Sequence, residues 1–149
     1  NSFKISVSHT TRPARSNEVE GVDYHFINIK NFKKLINQGE FYEYAKIFGN
    51  YYGTLKKKID EDIKKNDILF DIDWQGTKQL SVYKNFNLIK IFLIAENKEE
   101  LKKKSFDEDV KHWIDYDYVV INKNLDVCFK QIIEIINQNK KTNFFQLIQ

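Results

Sequence analysis

The chain has 149 residues, 42% apolar and 30% charged, the balance of one globular domain with a real core but no room for two independent ones. Its net charge of +3 is too small and too dispersed to argue for nucleic acid. The single cysteine, Cys128, excludes an internal disulfide and makes a reducing, cytoplasmic setting the expectation. The longest apolar stretch, Leu88 to Ala95, is short and broken by Lys90, so no membrane span is expected. Asn1 to Ile5 lacks the length and pattern of a signal peptide.

In chain order, Ile5-Ser6-Val7-Ser8 alternates and is β-branched, which predicts a strand. His9 to Gly21 is polar, holds the only proline, Pro13, and reads as a loop. Tyr24 to Ile27 reads as a strand. Phe32, Leu35 and Ile36 fall at helical spacing before a stop at Gly39. Glu40 to Phe48 alternates and predicts a strand, and Gly49-Asn50 and Gly53 punctuate a turn around Tyr51-Tyr52. Leu55, Ile59 and Ile63 mark an amphipathic helix whose other face, with Lys56-Lys57-Lys58, is solvated. Buried-type strands are predicted at Ile68 to Asp73, Leu88 to Ile94 and Tyr118 to Ile121. Helices are predicted at Gln75 to Val82, Lys98 to Lys104, and a closing segment through Leu125, Phe129, Ile132, Ile133 and Ile136. Strand–helix alternation in the second half is the pattern of an α/β core, a parallel sheet with helices on both faces. The first half reads as a small mixed-sheet subdomain rich in aromatics.

Several residues carry chemistry. Of 24 cationic side chains only Arg12 and Arg15 are arginine. Where lysine serves everywhere else, two planar forks three residues apart point to a bidentate anion, phosphate or carboxylate. Asp71 and Asp73 lie two apart at the C-terminal end of a buried strand, where open α/β sheets bind ligands. Both face one way, which suits a hydrated Mg²⁺ or a nucleotide; the plainer reading is that one of them caps the next helix. Glu43 shares a strand face with Phe41, Ala45 and Ile47. A carboxylate there needs donors: a neighbouring lysine, or two parallel donors of a ligand such as guanine N1–H and its 2-amino group. Tyrosine hydroxyls such as those of Tyr24, Tyr51 and Tyr52 can donate to phosphate or simply fill a core. The three histidines show no metal-ligand spacing, and Cys128 falls on a helix that needs apolar residues, so neither metal cage nor thiol chemistry is assigned.

Taken together, the motifs Ser6-Val7-Ser8-His9-Thr10-Thr11-Arg12-Pro13-Ala14-Arg15, Glu18-Val19-Glu20-Gly21-Val22-Asp23-Tyr24-His25-Phe26, Glu40-Phe41-Tyr42-Glu43-Tyr44-Ala45, Gly49-Asn50-Tyr51-Tyr52-Gly53-Thr54, Asp71-Ile72-Asp73-Trp74-Gln75-Gly76 and Tyr116 to Asn122 resemble, in order and spacing, the guanylate kinase family. The resemblance implies a P-loop-kinase-like α/β core with a small GMP-binding subdomain, one domain over 1–149, with the GMP-binding region at about 9–54 and the core at 55–149. It implies that Arg12, Arg15, Tyr24 and Tyr52 hold the GMP phosphate, that Glu43 takes the guanine N1–H and 2-amino group, and that Ser8, Thr54 and Asp71 complete the guanine pocket. It places Asp73 near the phosphates and Mg²⁺, Glu18 beside the arginine loop and Asn122 near the adenine of ATP. Arg12, Arg15 and Asp73 become the catalytic set, Mg²⁺ the cofactor and ATP the co-substrate. The expected partners are GMP and ATP, with no nucleic acid and no membrane, in a cytoplasmic monomer or homodimer.

The sequence departs from the family in three places. Pro13 directly follows Arg12, where many members have proline one residue later. No Gly-x-x-x-x-Gly-Lys-[Ser/Thr] occurs, although in the family that loop, after a first strand of the core sheet, cradles the ATP phosphates. Lys104 runs almost directly into Ser105-Phe106-Asp107-Glu108, where the family carries an arginine-bearing lid. The expectation is a longer parent chain, with a central strand missing from this stretch. The functional reading is phosphoryl transfer from ATP to GMP; alternatives are a catalytically inactive guanylate-kinase-like binding module and, more remotely, a basic aromatic RNA binder.

Overall fold

Nine strands form two sheets in the computed structural model, which describes residues 2–95, 111–139 and 144–148. The strands, numbered in chain order, are β1 (Ser2–Ile5), β2 (His9–Thr10), β3 (His25–Phe26), β4 (Phe41–Ile47), β5 (Asn50–Leu55), β6 (Asn66–Asp71), β7 (Leu88–Ala95), β8 (Tyr118–Asn122) and β9 (Phe144–Ile148). The helices are α1 (Ile29–Asn37), α2 (Lys56–Asp62), α3 (Trp74–Leu80) and α4 (Leu125–Gln138). The larger sheet runs β1-β6-β9-β7-β8 with every neighbouring pair parallel. The smaller runs β3-β2-β5-β4 and is mixed.

Side-chain alternation explains the layering. Ile68 and Phe70 of β6 turn one way, into a buried cluster with Ile59 of α2 and Leu80 of α3. Leu69 turns the other way and packs on Ile89, Ile91 and Leu93 of β7, Val120 of β8, and Cys128, Ile132 and Ile136 of α4. The period of two in the strands and of about four in α4 thus puts helices on both faces of the parallel sheet, as the sequence predicts. Cys128 fills a core position and is buried. Among the described residues no helix is long and apolar enough to cross a membrane.

Four expectations need correction. The first strand ends at Ile5 rather than beginning there: Ser6 N–H still donates to Leu69 O (2.9 Å), but Ser8 O already serves His25 of the other sheet (2.9 Å), so Ser6 to Ser8 bridge the two sheets. His9 and Thr10 are a short strand, not loop. Tyr51 and Tyr52 lie within β5, and the turn comes earlier, at Phe48-Gly49 between paired Ile47 and Asn50. Both turn residues have positive φ, 47° at Phe48 and 85° at Gly49, as a two-residue hairpin loop demands. Finally, the core sheet has no missing centre. β9, an apolar run for which no strand is predicted above, pairs with β6 on one side and β7 on the other. The expected helix at Lys98 to Lys104 and the lid position at the Lys104–Ser105 join lie outside the described residues.

Candidate active site

A cavity of about 330 Å³ opens where β4, β5 and the turn between them face the C-terminal end of β6. Its walls include Ser8, Tyr24, Glu43, Tyr52, Asp71 and Asp73, with Ala45, Ile47, Phe48 and Ile72 supplying apolar surface. Residues from five separate sequence motifs therefore meet in one place. Thr54 joins them through a 3.2 Å contact between its hydroxyl and that of Ser8, both side chains buried.

Glu43 is the focus. The alternation of β4 puts Phe41, Glu43 and Ala45 on the buried face, and Glu43 is only 3% exposed. It sits opposite Thr54 in the ladder, just after an irregularity between Phe41 and Glu43. Its Oε1 is buried without a hydrogen-bond partner. Burial pushes the carboxyl up to about 7; hydrogen bonds from Thr54 oppose that rise and the charge of Asp73 adds to it. An orphan acceptor of this kind costs free energy unless donors arrive. Among the described residues no lysine supplies them to Oε1.

Arg12 is held from below and behind. Its Nη1 and Nη2 donate to the two oxygens of Glu18 at 3.0 and 2.6 Å, and Nη1 also donates to Pro13 O at 2.9 Å. Glu18 closes the loop by accepting from Arg15 N at 2.7 Å. The hydrogen bond from Arg12, then that from Arg15 N–H, bring the Glu18 carboxyl down to about 2, while Glu18, with Tyr52 adding, raises Arg12 further above its ordinary value. The guanidinium lies 5.5 Å from the Tyr24 ring centroid, and the Tyr24 and Tyr52 rings meet edge-on at 6.0 Å. A guanidinium has five N–H donors; Glu18 and Pro13 engage three, which leaves two for the Tyr52 hydroxyl and for an anion arriving beside it.

The paired acids divide their roles. Asp73 is the N-cap of α3: Oδ1 accepts from Gly76 N at 3.0 Å and Oδ2 from Gln75 Nε2 at 2.9 Å. The plain capping reading is right for this residue, which still lines the cavity. Asp71 makes no such cap, and desolvation raises its carboxyl above the usual range.

Four sequence candidates lie outside the cavity walls: Thr54 and Arg12, which contact the wall residues Ser8 and Tyr24, and Arg15 and Asn122. Arg15 is exposed and contributes its backbone N–H to Glu18. Asn122 is at the end of β8, paired with Ala95, on the edge strand at the far side of the core sheet. Sequence reasoning misses Phe48, an 85% exposed aromatic at the cavity rim with φ of 47°. The available signal is a bulky residue directly before Gly-Asn, at a turn position that asparagine or glycine normally takes.

The family profile described as Guanylate kinase matches residues 1–139. The guanylate kinase of Novosphingobium aromaticivorans is 39% identical, the match covering 89% of this chain and 68% of that protein. That of Rickettsia prowazekii is 38% identical, over 97% of this chain and 82% of its own length. The crystal structure of guanylate kinase from Anaplasma phagocytophilum superposes with a TM-score of 0.82 at 33% identity, covering 91% of this chain and 74% of that one. By profile, relatives and fold alike, this chain belongs to the guanylate kinase family.

Proposed function

We propose that the protein transfers the γ-phosphoryl group of ATP to GMP, giving ADP and GDP, and that the described cavity receives GMP. The observation that carries the reading is Glu43. A buried carboxylate with one unpartnered oxygen, lining a cavity, calls for a donor from a ligand, and the adjacent N1–H and 2-amino group of guanine supply that donor and match the carboxylate's two oxygens. Family membership supports the same reaction.

The remaining roles follow from position. Ser8, Thr54 and Asp71 complete the base pocket around Glu43. Tyr24, Tyr52 and the donors left on Arg12 face the phosphate end, and Arg15, exposed beside the same loop, closes on it when GMP enters. Glu18 holds Arg12 in place so that little ordering remains to be done on binding. The GMP phosphate is already an anion and needs no protein base; the site works by alignment and charge neutralisation. Among the described residues no group of three or more His, Cys, Asp or Glu could cage a metal. Two carboxylates at the cavity are nonetheless the usual protein share for Mg²⁺, which binds through nucleotide phosphates and its own water. Asp73, with lone pairs to spare beyond its cap bonds, would hold that hydrated ion. When bound, Mg²⁺ neutralises charge on the transferring phosphoryl group. The 149 residues contain no Gly-x-x-x-x-Gly-Lys-[Ser/Thr] stretch. A cytoplasmic setting agrees with a single buried thiol.

The test is a coupled assay of ADP formation from ATP and GMP on the full-length gene product, together with calorimetric titration of GMP, IMP and AMP. IMP keeps N1–H but lacks the 2-amino group, and AMP presents an acceptor to an acceptor. The expected order is GMP, IMP, AMP, with AMP weaker than GMP by about 10⁴-fold. Tight GMP binding without ADP formation would identify a binding module; equal binding of the three would remove Glu43 as the base reader.

A further inference from the structure

Gly76 and Gln79 lie three apart on α3, hence on one face of it, and meet consecutive residues of β4. An ideal Cβ built on Gly76 would stand 2.6 Å from Glu43 Oε2, with Ile72 Cδ1 and Cβ at 3.1 and 3.2 Å closing the alternative. Glycine thus lets the helix backbone come up against the carboxylate itself. One turn on, Gln79 Nε2 donates to Tyr44 O at 2.7 Å while Tyr44 N donates to Gln79 Oε1 at 3.1 Å. The amide is braced in turn by Nε2 to Gln75 O at 3.1 Å.

β4 is the edge strand of its sheet. The carboxamide of Gln79 therefore does for Tyr44 what the next strand's peptide group would do, satisfying both backbone groups that point away from β5. The ladder to β5 is irregular between Phe41 and Glu43, and a bulged strand is free to twist locally. At that loosened point the base-reading side chain is anchored from the α3 side. We propose that Gly76 and Gln79 are positioning residues that fix the Glu43 carboxylate for base recognition. The inference rests on the guanine reading above. Neither residue touches the nucleotide; one sets the distance of the carboxylate from the helix, the other sets the strand that bears it.

The experiment uses Gln79→Met, which keeps length and removes both bonds, and Gly76→Ala, which puts a methyl group where Oε2 lies. GMP, IMP and AMP are titrated by calorimetry against both variants and the wild type. A displaced carboxylate loses its two bonds to guanine but leaves phosphate contacts alone. The expected result is GMP binding weakened about tenfold or more, IMP weakened less, AMP unchanged, and an unaltered KM for ATP. Equal weakening of all three nucleotides in Gln79→Met would show a merely structural role and overturn the inference, as would an undiminished preference for GMP over AMP. Should Gly76→Ala fail to fold, Gln79→Met decides alone, since its side chain bonds at the partly open helix surface. A wild type that does not distinguish GMP from AMP overturns the guanine reading and this inference with it. A discriminating wild type with equally discriminating variants overturns this inference alone.

Discussion

GMP affinity will rise with pH through neutrality because of one carboxyl group. Burial pushes Glu43 up to about 7, with Asp73 adding to the rise and Thr54 opposing it. Guanine offers only donors to that group, so GMP selects the ionised form. With a value near 7, roughly one molecule in eleven is ionised at pH 6 and about ten in eleven at pH 8. The apparent Kd should then fall about tenfold between those limits, with the proton release per GMP from this group dropping from about 0.9 at pH 6 through about 0.5 at pH 7 to about 0.1 at pH 8. GMP loses its own second phosphate proton near pH 6, as phosphate monoesters do, and that also favours binding. Glu43→Gln separates the two: it keeps the phosphate's contribution and removes the carboxyl's. The assay is calorimetric titration at several pH values in buffers of different ionisation enthalpy, which counts the protons. The ligand-free protein must show the opposite trend. A carboxyl whose folded value lies above its unfolded value binds more protons when folded, so its stabilisation is complete below about pH 4.5 and fades as pH rises through 7. The loss is of order 3 kcal/mol, read as a falling Tm. Equal pH slopes in wild type and Glu43→Gln would refute the reasoning.

Other outcomes are open to measurement. Arg12→Lys and Arg15→Lys keep charge but lose the planar fork, and a single ammonium in place of Arg12 could not serve Glu18 and a phosphate together; GMP Kd should rise about tenfold in each, and normal binding in both would end the phosphate-fork assignment. Phe48→Asn should relieve a bulky residue from positive φ, raising stability by about 1 kcal/mol and Tm by about 2–4 °C, while GMP binds more weakly for want of the aromatic rim; unchanged GMP affinity would make Phe48 a turn residue only. Asp73→Asn keeps a good N-cap and loses the charge, so thermal melts should match wild type while the Mg²⁺ requirement for turnover rises. Asp73→Ala should lose about 1 kcal/mol of stability as well.

Much of this arrangement is legible in the sequence wherever local periodicity decides geometry. The alternation of Phe41 to Ile47 places Glu43 on a buried face, and the two arginines stand out against a background of lysine. Apolar runs locate β6, β7 and β8 and the layering around them. Legibility ends where a long-range partner decides. Whether Asp71 or Asp73 caps α3 depends on which carboxylate swings toward Gly76 N, and two residues at one strand end look alike from sequence. β9 is five residues long, and only pairing to β6 and β7 makes it the centre of a sheet. Ser6 to Ser8 alternate like a strand but are pulled out of the ladder because two sheets compete for them. Gln79 looks like a solvated helix position, since nothing local announces that an edge strand lacks a neighbour.

Seven residues of α3 hold an unusual share of the site together, and the reason is energetic. A helix of that length does not form alone in water. It is kept by Asp73 at its N-terminus, by Leu80 buried with Ile68 and Phe70, by the Thr77 hydroxyl at 2.9 Å from Tyr116 OH, and by Gln79 on the backbone of β4. These tethers reach the end of β6, the core, the approach to β8 and the smaller sheet. The same contacts put Asp73 at the cavity and Glu43 against Gly76. Forming the helix and assembling the site are therefore one event: local opening of α3 would release the Glu43 and Asp73 carboxylates together. A ligand that engages Glu43 pulls on the same equilibrium from the other side, so nucleotide binding should protect α3 amides from exchange before it protects those of α4, whose buried side chains pack within the core. Protection that appears first in α4, or equally in both helices, would separate helix formation from site assembly.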